Sequence, residues 1–192
     1  VMIMKKSLLA IAISLIATGS VSAIAAAPAP GTQIGTGTLA VTGATAESAC
    51  TVSFPTSVTL PTFSKADFSA KAQNSVIGSQ NAGNITFSGC NAQSVTIKVT
   101  TANTVSGNGY ITFPVVNGSE QGQYGLVVGL EKDGAEKFIK VNKDDTNFQN
   151  IAVNNESYSI PVTVSTYKVG TNPKAISYGT YNVNYVFTAT YA

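Results

Sequence analysis

The sequence predicts an all-β protein built as a sandwich of two sheets. No long stretch repeats its apolar residues at the 3.6-residue period of a helix. Instead, short runs of alternating apolar and polar residues are separated by Gly, Asn, Ser and Pro, which is typical of strands joined by turns. About seven or eight such runs follow one another, and this number and spacing favour a two-sheet sandwich.

The predicted strands extend from the first cysteine to the end of the sequence. They cover residues 51–54, 84–90, 94–100, 110–116, 125–131, 136–141, 158–167 and 179–192. Asp133 and Gly134 separate two of these runs, and an Asp-Gly pair in that position is a strong signal for a hairpin turn. Pro114 lies within another run, which predicts an edge strand or a switch between sheets. The last run is predicted to be the longest strand.

The first 23 residues have the layout of a secretory signal peptide. Two lysines precede an apolar run over residues 8–17, and small residues follow it. We expect cleavage after Ala23, with Ala25 and Ala27 as alternatives in the same Ala-rich stretch. The apolar run is too short for a membrane anchor, which needs about 20 residues.

The composition excludes several classes of function. All eleven basic residues are Lys, and the sequence contains no Arg, His or Trp. Without His there is no Ser-His-Asp triad and no imidazole metal site, and without Arg there is no bidentate clamp for phosphate. Removal of Lys5 and Lys6 with the signal peptide leaves nine Lys against nine Asp and Glu, so the exported chain is neutral. We therefore expect no cofactor and no nucleic-acid partner.

Cys50 and Cys90 are the only cysteines. In an exported protein, a lone pair of cysteines favours one disulfide. Closing a loop of about 40 residues contributes roughly 4 kcal/mol in the chain-entropy estimate. Two free buried thiols are the alternative. A metal site would have too few ligands, and a redox dithiol would need closer spacing.

Residues 131–145 hold nine of the eighteen charges of the exported chain, with both signs mixed. A solvated hairpin that keeps the domain soluble is the favoured interpretation, and an exposed recognition loop is the alternative.

The C-terminal run carries apolar or aromatic residues at its odd positions and mostly polar residues at its even positions, so one face is buried. The odd positions are Tyr181, Val183, Tyr185, Phe187, Ala189 and Tyr191. Chain termini normally fray. A core-type strand that continues to the last residue therefore predicts that this end is bound by something.

A second alternating segment precedes the first cysteine. Leu39, Val41, Gly43 and Thr45 share one face of it. The segment is either an ordinary first strand of the same domain or a strand donated to another molecule.

Together these features resemble the pilin subunits of chaperone–usher pili, of the type 1 and P pilus kind, over nearly the whole exported chain. In that family, an N-terminal extension carries a Gly seven residues before the first cysteine, as Gly43 precedes Cys50. The family's disulfide joins the start of the first strand to the end of the second, which corresponds to Cys50 and Cys90. Its mid-domain hairpin, the segment before its penultimate strand and its closing signature correspond to residues 125–134, 155–162 and 179–191. The long Ala/Pro/Gly lead over residues 24–37 departs from the family pattern.

The resemblance implies an incomplete immunoglobulin-like sandwich, the pilin domain, which is completed by a strand donated by another subunit. It divides the chain into a signal peptide at 1–23, an N-terminal donor-strand extension at 24–49 and a pilin domain at 50–192. The donor strand would use Leu39, Val41, Gly43 and Thr45. The odd positions of the C-terminal run would form the groove wall and the chaperone contact.

The partners implied are identical or related pilin subunits in a head-to-tail polymer, a periplasmic chaperone and an outer-membrane usher. The subunit would pass through the periplasm to a fimbria at the cell surface, and the fibre would support adhesion.

Three alternatives remain. A fimbrial adhesive subunit would bind a host receptor through loops such as residues 102–109, although roughly 169 residues leave no room for a separate receptor-binding domain. An enzyme is disfavoured, because the only paired carboxylates are Asp144 and Asp145 in a polar loop. A secreted monomeric β-sandwich would use its own first strand.

Overall fold

The computed structural model describes residues 36–44, 49–90, 93–153 and 156–192. The predicted signal peptide with its cleavage sites, and Thr45, lie outside the described residues. The described residues 36–44 belong to one unit and those from residue 49 onward to a second. Residues 36–44 have no regular secondary structure and are exposed throughout.

The described part of the second unit contains ten strands, one short α-helix and two 3-10 helices. In chain order these are β1 (Thr51–Ser53), α1 (Lys65–Ala70), β2 (Val76–Ser88), β3 (Gln93–Thr101), β4 (Val115–Val116), β5 (Ser119–Glu120), β6 (Tyr124–Lys132), β7 (Ala135–Phe138), a 3-10 helix (Thr146–Phe148), β8 (Ile151–Val153), β9 (Ser157–Lys168), a 3-10 helix (Pro173–Ala175) and β10 (Tyr185–Tyr191).

The strands form two main antiparallel sheets and a small hairpin. The larger sheet has the order β1-β2-β9-β6-β7, and the smaller has the order β10-β3-β8. The hairpin consists of β4 and β5. The predicted all-β sandwich of two sheets is therefore confirmed.

The core lies between the two sheets, because alternate residues of each strand face inward. Along β9 the inward residues include Ile160 and Val162, and along β3 they include Ile97 and Val99, all of them buried. Cys50 and Cys90 form a disulfide, as predicted, which joins the residue before β1 to a residue two positions after the end of β2. The disulfide therefore links the edge strand β1 covalently to the segment that follows its neighbour β2.

One side of the sandwich is closed by a segment that crosses between the sheets. After β7, the N–H of Ile139 donates to the Val128 carbonyl of β6 at 2.9 Å. Three residues later, the N–H of Asn142 donates to the Val99 carbonyl of β3, also at 2.9 Å. Residues 139–142 therefore pass from the larger sheet to the smaller one. At the opposite side, where β1 and β10 are the edge strands, no described strand makes such a crossing.

The structure corrects several of the predicted strands; the one predicted over 84–90, for instance, begins at Val76 and ends at Ser88. The run 110–116 contributes only Val115–Val116 to a strand, and of its other residues Thr112 alone forms isolated bridges, with Val105 and Leu126. The predicted final strand begins at Tyr185 instead of Gly179, because its partner β3 ends at Thr101, which pairs with Tyr185. The longest strand is consequently β2, at 13 residues, and the prediction for the C-terminal run is wrong on this point.

The helix α1 was not among the predicted elements. Its N-terminus forms a capping box, in which the Ser64 hydroxyl accepts from the Asp67 N–H at 3.1 Å and the Asp67 carboxylate accepts from the Ser64 N–H at 2.8 Å. The hydrogen bonds from Ser64 lower the pKa of Asp67. Phe68 is the one buried residue of the helix. A single apolar anchor gives no helical period, which explains why the pattern missed this helix.

Candidate functional site

An open groove lies along the side of the sandwich that no described segment crosses. One wall is formed by residues 54–63, which connect β1 to α1, and the other by residues 178–187, which lead into β10. Val162 and Val164 of β9 line the floor. Two cavities of about 430 and 220 Å³ follow one another along it. Both are lined by Val58, Val164, Asn182, Val183 and Tyr185.

The β10 wall presents an unpaired strand edge. The Ala192 N–H donates to the Ser94 carbonyl at 2.9 Å, and the Asn184 carbonyl accepts from the Thr101 hydroxyl at 2.8 Å, so the even residues direct their backbone groups toward β3. Backbone groups alternate in direction along a strand. The odd residues of β10 therefore direct their N–H and C=O groups away from β3. Among the described strands, none pairs with this edge.

The opposite wall is also without backbone partners. In the part of the chain that the structure describes, residues 54–63 make no backbone–backbone hydrogen bond. Pro55 lies beside Gly83 and Pro61 beside Gly78, so the segment follows β2 without pairing with it. Backbone without described backbone partners therefore borders the groove on both sides.

The residues predicted for the groove wall occupy it to different degrees. Tyr181, Val183 and Tyr185 line the larger cavity, and Phe187 lines the smaller one. Ala189 packs against the main core and lines neither cavity. Tyr191 likewise lines neither cavity, and it is 61% exposed. The predicted face is thus brought to the groove only over the part that begins before β10 and ends at Phe187.

The wide end of the groove is aromatic. The ring of Tyr124 contacts Phe63 edge to face, with centroids 5.0 Å apart, and lies 6.1 Å from the ring of Tyr181. Burial raises the pKa of Tyr124 and of Tyr185 to about 12, and it also raises the pKa of Tyr181. These hydroxyls are therefore neutral over the physiological range, and the site carries no tyrosinate charge.

A buried cation supports this end. Lys168 is 5% exposed, and its Nζ donates to the carbonyls of Phe68 at 2.8 Å and Lys71 at 2.7 Å. The same Nζ lies 4.3 Å from the centroid of the Phe68 ring. A positive charge interacts favourably with the carbonyl oxygens at a helix C-terminus. Lys168 of β9 therefore stabilises the packing of α1 against that strand.

Sequence analysis missed the wall 54–63 and the floor residues Leu126 and Val164. A signal for the wall is present, because the half-buried Val58 and Leu60 alternate between two prolines. The floor residues belong to strands that were predicted, but their place in the lining of a groove follows only from the packing of the two sheets.

The predicted donor residues lie in the first unit. Leu39 is 88% and Val41 83% exposed, and Gly43 is exposed as well. Large apolar side chains that are almost fully exposed are unusual for a folded domain.

The paired carboxylates considered for an enzyme are each engaged elsewhere. The Asp144 carboxylate lies 2.6 Å from the Lys98 ammonium at the surface. The Asp145 carboxylate is buried and accepts from the N–H groups of Lys140 at 2.9 Å and Asn147 at 3.0 Å. These contacts give Asp145 a structural role as the cap of the following 3-10 helix.

Two further classes of site were considered within the described residues. No three His, Cys, Asp or Glu side chains among them are grouped so that they could hold a metal ion. Their helices are all too short or too polar to cross a bilayer.

Comparison with known proteins finds similarity at the level of structure. No protein-family model matches the sequence, and no curated protein matches it. The chain is similar to the P pilus rod subunit PapA in its crystal structure, with a TM-score of 0.49 and 15% sequence identity over 74% of this chain and 99% of that chain.

Proposed function

We propose that this chain is a structural subunit of a chaperone–usher fimbria, and that subunits join when the donor strand of one copy fills the groove of another. The observation that carries the proposal is the groove itself, an apolar floor between two backbone edges that have no described partner. The chain also carries an exposed, alternating segment around Leu39 and Val41 that fits such a groove.

Strand pairing supplies part of the binding free energy. An unpaired strand edge is a template for another strand, and filling it is β-augmentation. Each backbone hydrogen bond contributes about 1 kcal/mol net. Tyr185, Phe187, Ala189 and Tyr191 each offer one donor and one acceptor at the free edge.

Apolar burial supplies the rest. Burying one Leu or Val side chain fully contributes about 1.5–3 kcal/mol. Leu39 and Val41 are almost fully exposed, so nearly all of that surface is available for burial. Gly43 has no side chain, which allows the donated backbone to approach the groove floor closely.

Assembly by this contact is head to tail and does not close on itself, so it builds a filament. Before assembly, a periplasmic chaperone would fill the groove with its own strand and would stabilise the subunit by binding only its folded form. An outer-membrane usher would then pass subunits to the cell surface, where the fibre supports adhesion. In this role the chain needs no cofactor and no catalytic group.

Electron microscopy tests the proposal on cells that express this chain with its chaperone and usher. We expect fibres from the complete chain. A chain without residues 34–44 should still be recovered with the chaperone but should form no fibres, because it has a groove and no strand to donate. Normal fibres from the deletion variant would overturn the proposal.

A further inference from the structure

A single charged side chain lines the groove, and it lies at the wide end. Of the described residues that line the two cavities, Lys65 alone is charged. It is the first residue of α1, two positions after the wall 54–63. Its ammonium lies 5.3 Å from the centroid of the ring of Tyr178, a residue of the opposite wall. The two walls therefore carry a positive charge between them at this end of the groove.

The ammonium of Lys65 is available to a carboxylate. Lys65 is exposed, and among the described residues the one ion pair joins two other side chains, Lys98 and Asp144. The nearest acidic residue along the chain, Asp67, is engaged in the cap of α1, where its carboxylate accepts from the N–H of Ser64 at 2.8 Å and from the hydroxyl of Ser64 at 2.7 Å. An ammonium has three donors and no acceptor. A group that binds it should therefore be an acceptor and, for the strongest contact, an anion.

The predicted donor extension also carries a single charge. Among residues 24–49, Glu47 is the only charged side chain. In a strand, residues two apart share a face. Glu47 therefore continues the face that Leu39 and Val41 begin.

Length and direction place the two charges together. In an antiparallel pair, opposite residues share a face, and one number rises as the other falls. When Leu39 lies opposite Phe187, eight steps along each strand bring Glu47 opposite Gly179. Eight steps correspond to about 27 Å of strand. Gly179 follows directly on the tyrosine whose ring lies beside the lysine ammonium.

We propose that Lys65 binds the Glu47 carboxylate of a second copy when the donated strand lies antiparallel to β10. The inference rests on the proposed function, since it concerns the occupant of the same groove. In the reverse direction, Glu47 would lie at the narrow end, where the rings of Phe54 and Phe187 stack. A carboxylate without a partner is costly to bury against such a surface. The ion pair thus favours one direction of the donated strand over the other.

Because Lys65 is exposed, the ion pair contributes little to the overall affinity. An exposed ion pair changes a binding constant by about two- to fivefold, and salt screens it. Charge complementarity acts more strongly on the orientation and the rate of association than on affinity. The test therefore uses low ionic strength and exchanges the charges between the two partners.

Synthetic donor peptides spanning residues 32–49 provide the first arm. The full chain is refolded with an excess of each peptide, and competition with a labelled natural peptide measures the relative affinity. We expect the Glu47→Gln peptide to bind about two- to fivefold more weakly than the natural one at low salt, and equally at about 1 M salt. The matched control combines Gln33→Glu with Glu47→Gln, which keeps the composition and net charge. It should bind as weakly as the Glu47→Gln peptide.

The second arm changes the groove. Lys65→Glu in the full chain should weaken binding of the natural peptide, and the Glu47→Lys peptide should restore it. Lys174→Glu makes the same change of charge at a residue that lines neither cavity, and it should leave the order of the peptides unchanged.

Three results would contradict the inference. Equal binding of the natural and Glu47→Gln peptides at low salt, no rescue of Lys65→Glu by the Glu47→Lys peptide, or the same rescue in Lys174→Glu would each overturn it while leaving the proposed function intact. If even the natural peptide does not bind the unaltered chain, the proposed function is wrong and the inference falls with it.

Discussion

The rings of Phe54 and Phe187 stack across the narrow end of the groove, with centroids 6.0 Å apart and planes 24° from parallel. Phe54 follows the edge strand β1 of the larger sheet, and Phe187 lies on the edge strand β10 of the smaller sheet. This pair therefore joins the two sheets on the side that has no crossing segment among the described residues. Phe187 also lines the smaller of the two cavities.

Phe54→Ala should destabilise the domain. The substitution removes a half-buried ring and its stacking contact with Phe187. We therefore expect a loss of about 1–3 kcal/mol in the free energy of unfolding. A double-mutant cycle with Phe187→Ala, measured by denaturant unfolding, should give a coupling energy of about 0.5–1.5 kcal/mol. Additive effects of the two substitutions would show that the stacked pair does not tie the sheets together.

Gly43→Leu should slow polymerisation at least about tenfold, since a side chain at this position would press on the groove floor and cost at least about 1.4 kcal/mol. The rate of polymer formation by the purified subunit measures the effect. Ala44→Leu is the matched control, because it enlarges the neighbouring side chain on the opposite face of the strand. Comparable rates for Gly43→Leu and the natural chain would argue against a groove-facing Gly43.

The stability of the domain should decrease at alkaline pH. Burial raises the pKa of Tyr124 and of Tyr185 to about 12 in the folded chain, from 10.0 for an ordinary tyrosine. Above pH 10 the unfolded chain releases these protons whereas the folded chain retains them. These two groups should therefore leave the free energy of unfolding unchanged between pH 8 and pH 10 and lower it between pH 10 and pH 12, by at most about 1.4 kcal/mol per pH unit for each group.

Chemical unfolding between pH 8 and pH 12 measures this loss. Tyr124→Phe and Tyr185→Phe should each make the alkaline decrease shallower, with the free energy at pH 8 serving as the reference for each variant. An unchanged slope in the double variant would contradict the assignment to these two hydroxyls.

Lys168→Met should weaken the attachment of α1. The methionine keeps most of the apolar stem but leaves the carbonyls of Phe68 and Lys71 without their shared donor. Because hydrogen bonds to charged groups contribute about 1.5–3 kcal/mol, we expect a loss in that range in the free energy of unfolding. Lys174→Met at the surface is the control. Equal stability of the two variants would mean that Lys168 does not hold the helix.

Local patterns predicted much of the fold. Period-two alternation located the cores of β3, β6 and β9, and the Asp133-Gly134 pair located the hairpin between β6 and β7, because each is a property of a few neighbouring residues. The disulfide also followed from sequence, since Cys50 and Cys90 have no other partners to choose from.

The start of β10 could not be predicted in this way. Tyr181 and Val183 continue its alternation, yet they lie outside the strand because β3 ends where Tyr185 pairs with Thr101. Strand length thus depends on a partner that is about 80 residues away in sequence, which no local pattern records. The helix α1 was missed for a related reason, as its one buried residue is held by a distant lysine.

By itself, the sequence determined the fold class, the disulfide and the two alternating segments, one around Leu39 and Val41 and the other at residues 181–191. These follow from residue type and spacing, which act over short distances along the chain. Only the tertiary structure decided that, on the side of the sandwich opposite residues 139–142, no described segment crosses between the sheets. It also decided that residues 54–63 form the second wall of the groove on that side. It alone brought Thr112 and Thr166 to either side of Leu126. These relationships join residues far apart in the chain, and they arise from how two sheets pack rather than from any local pattern.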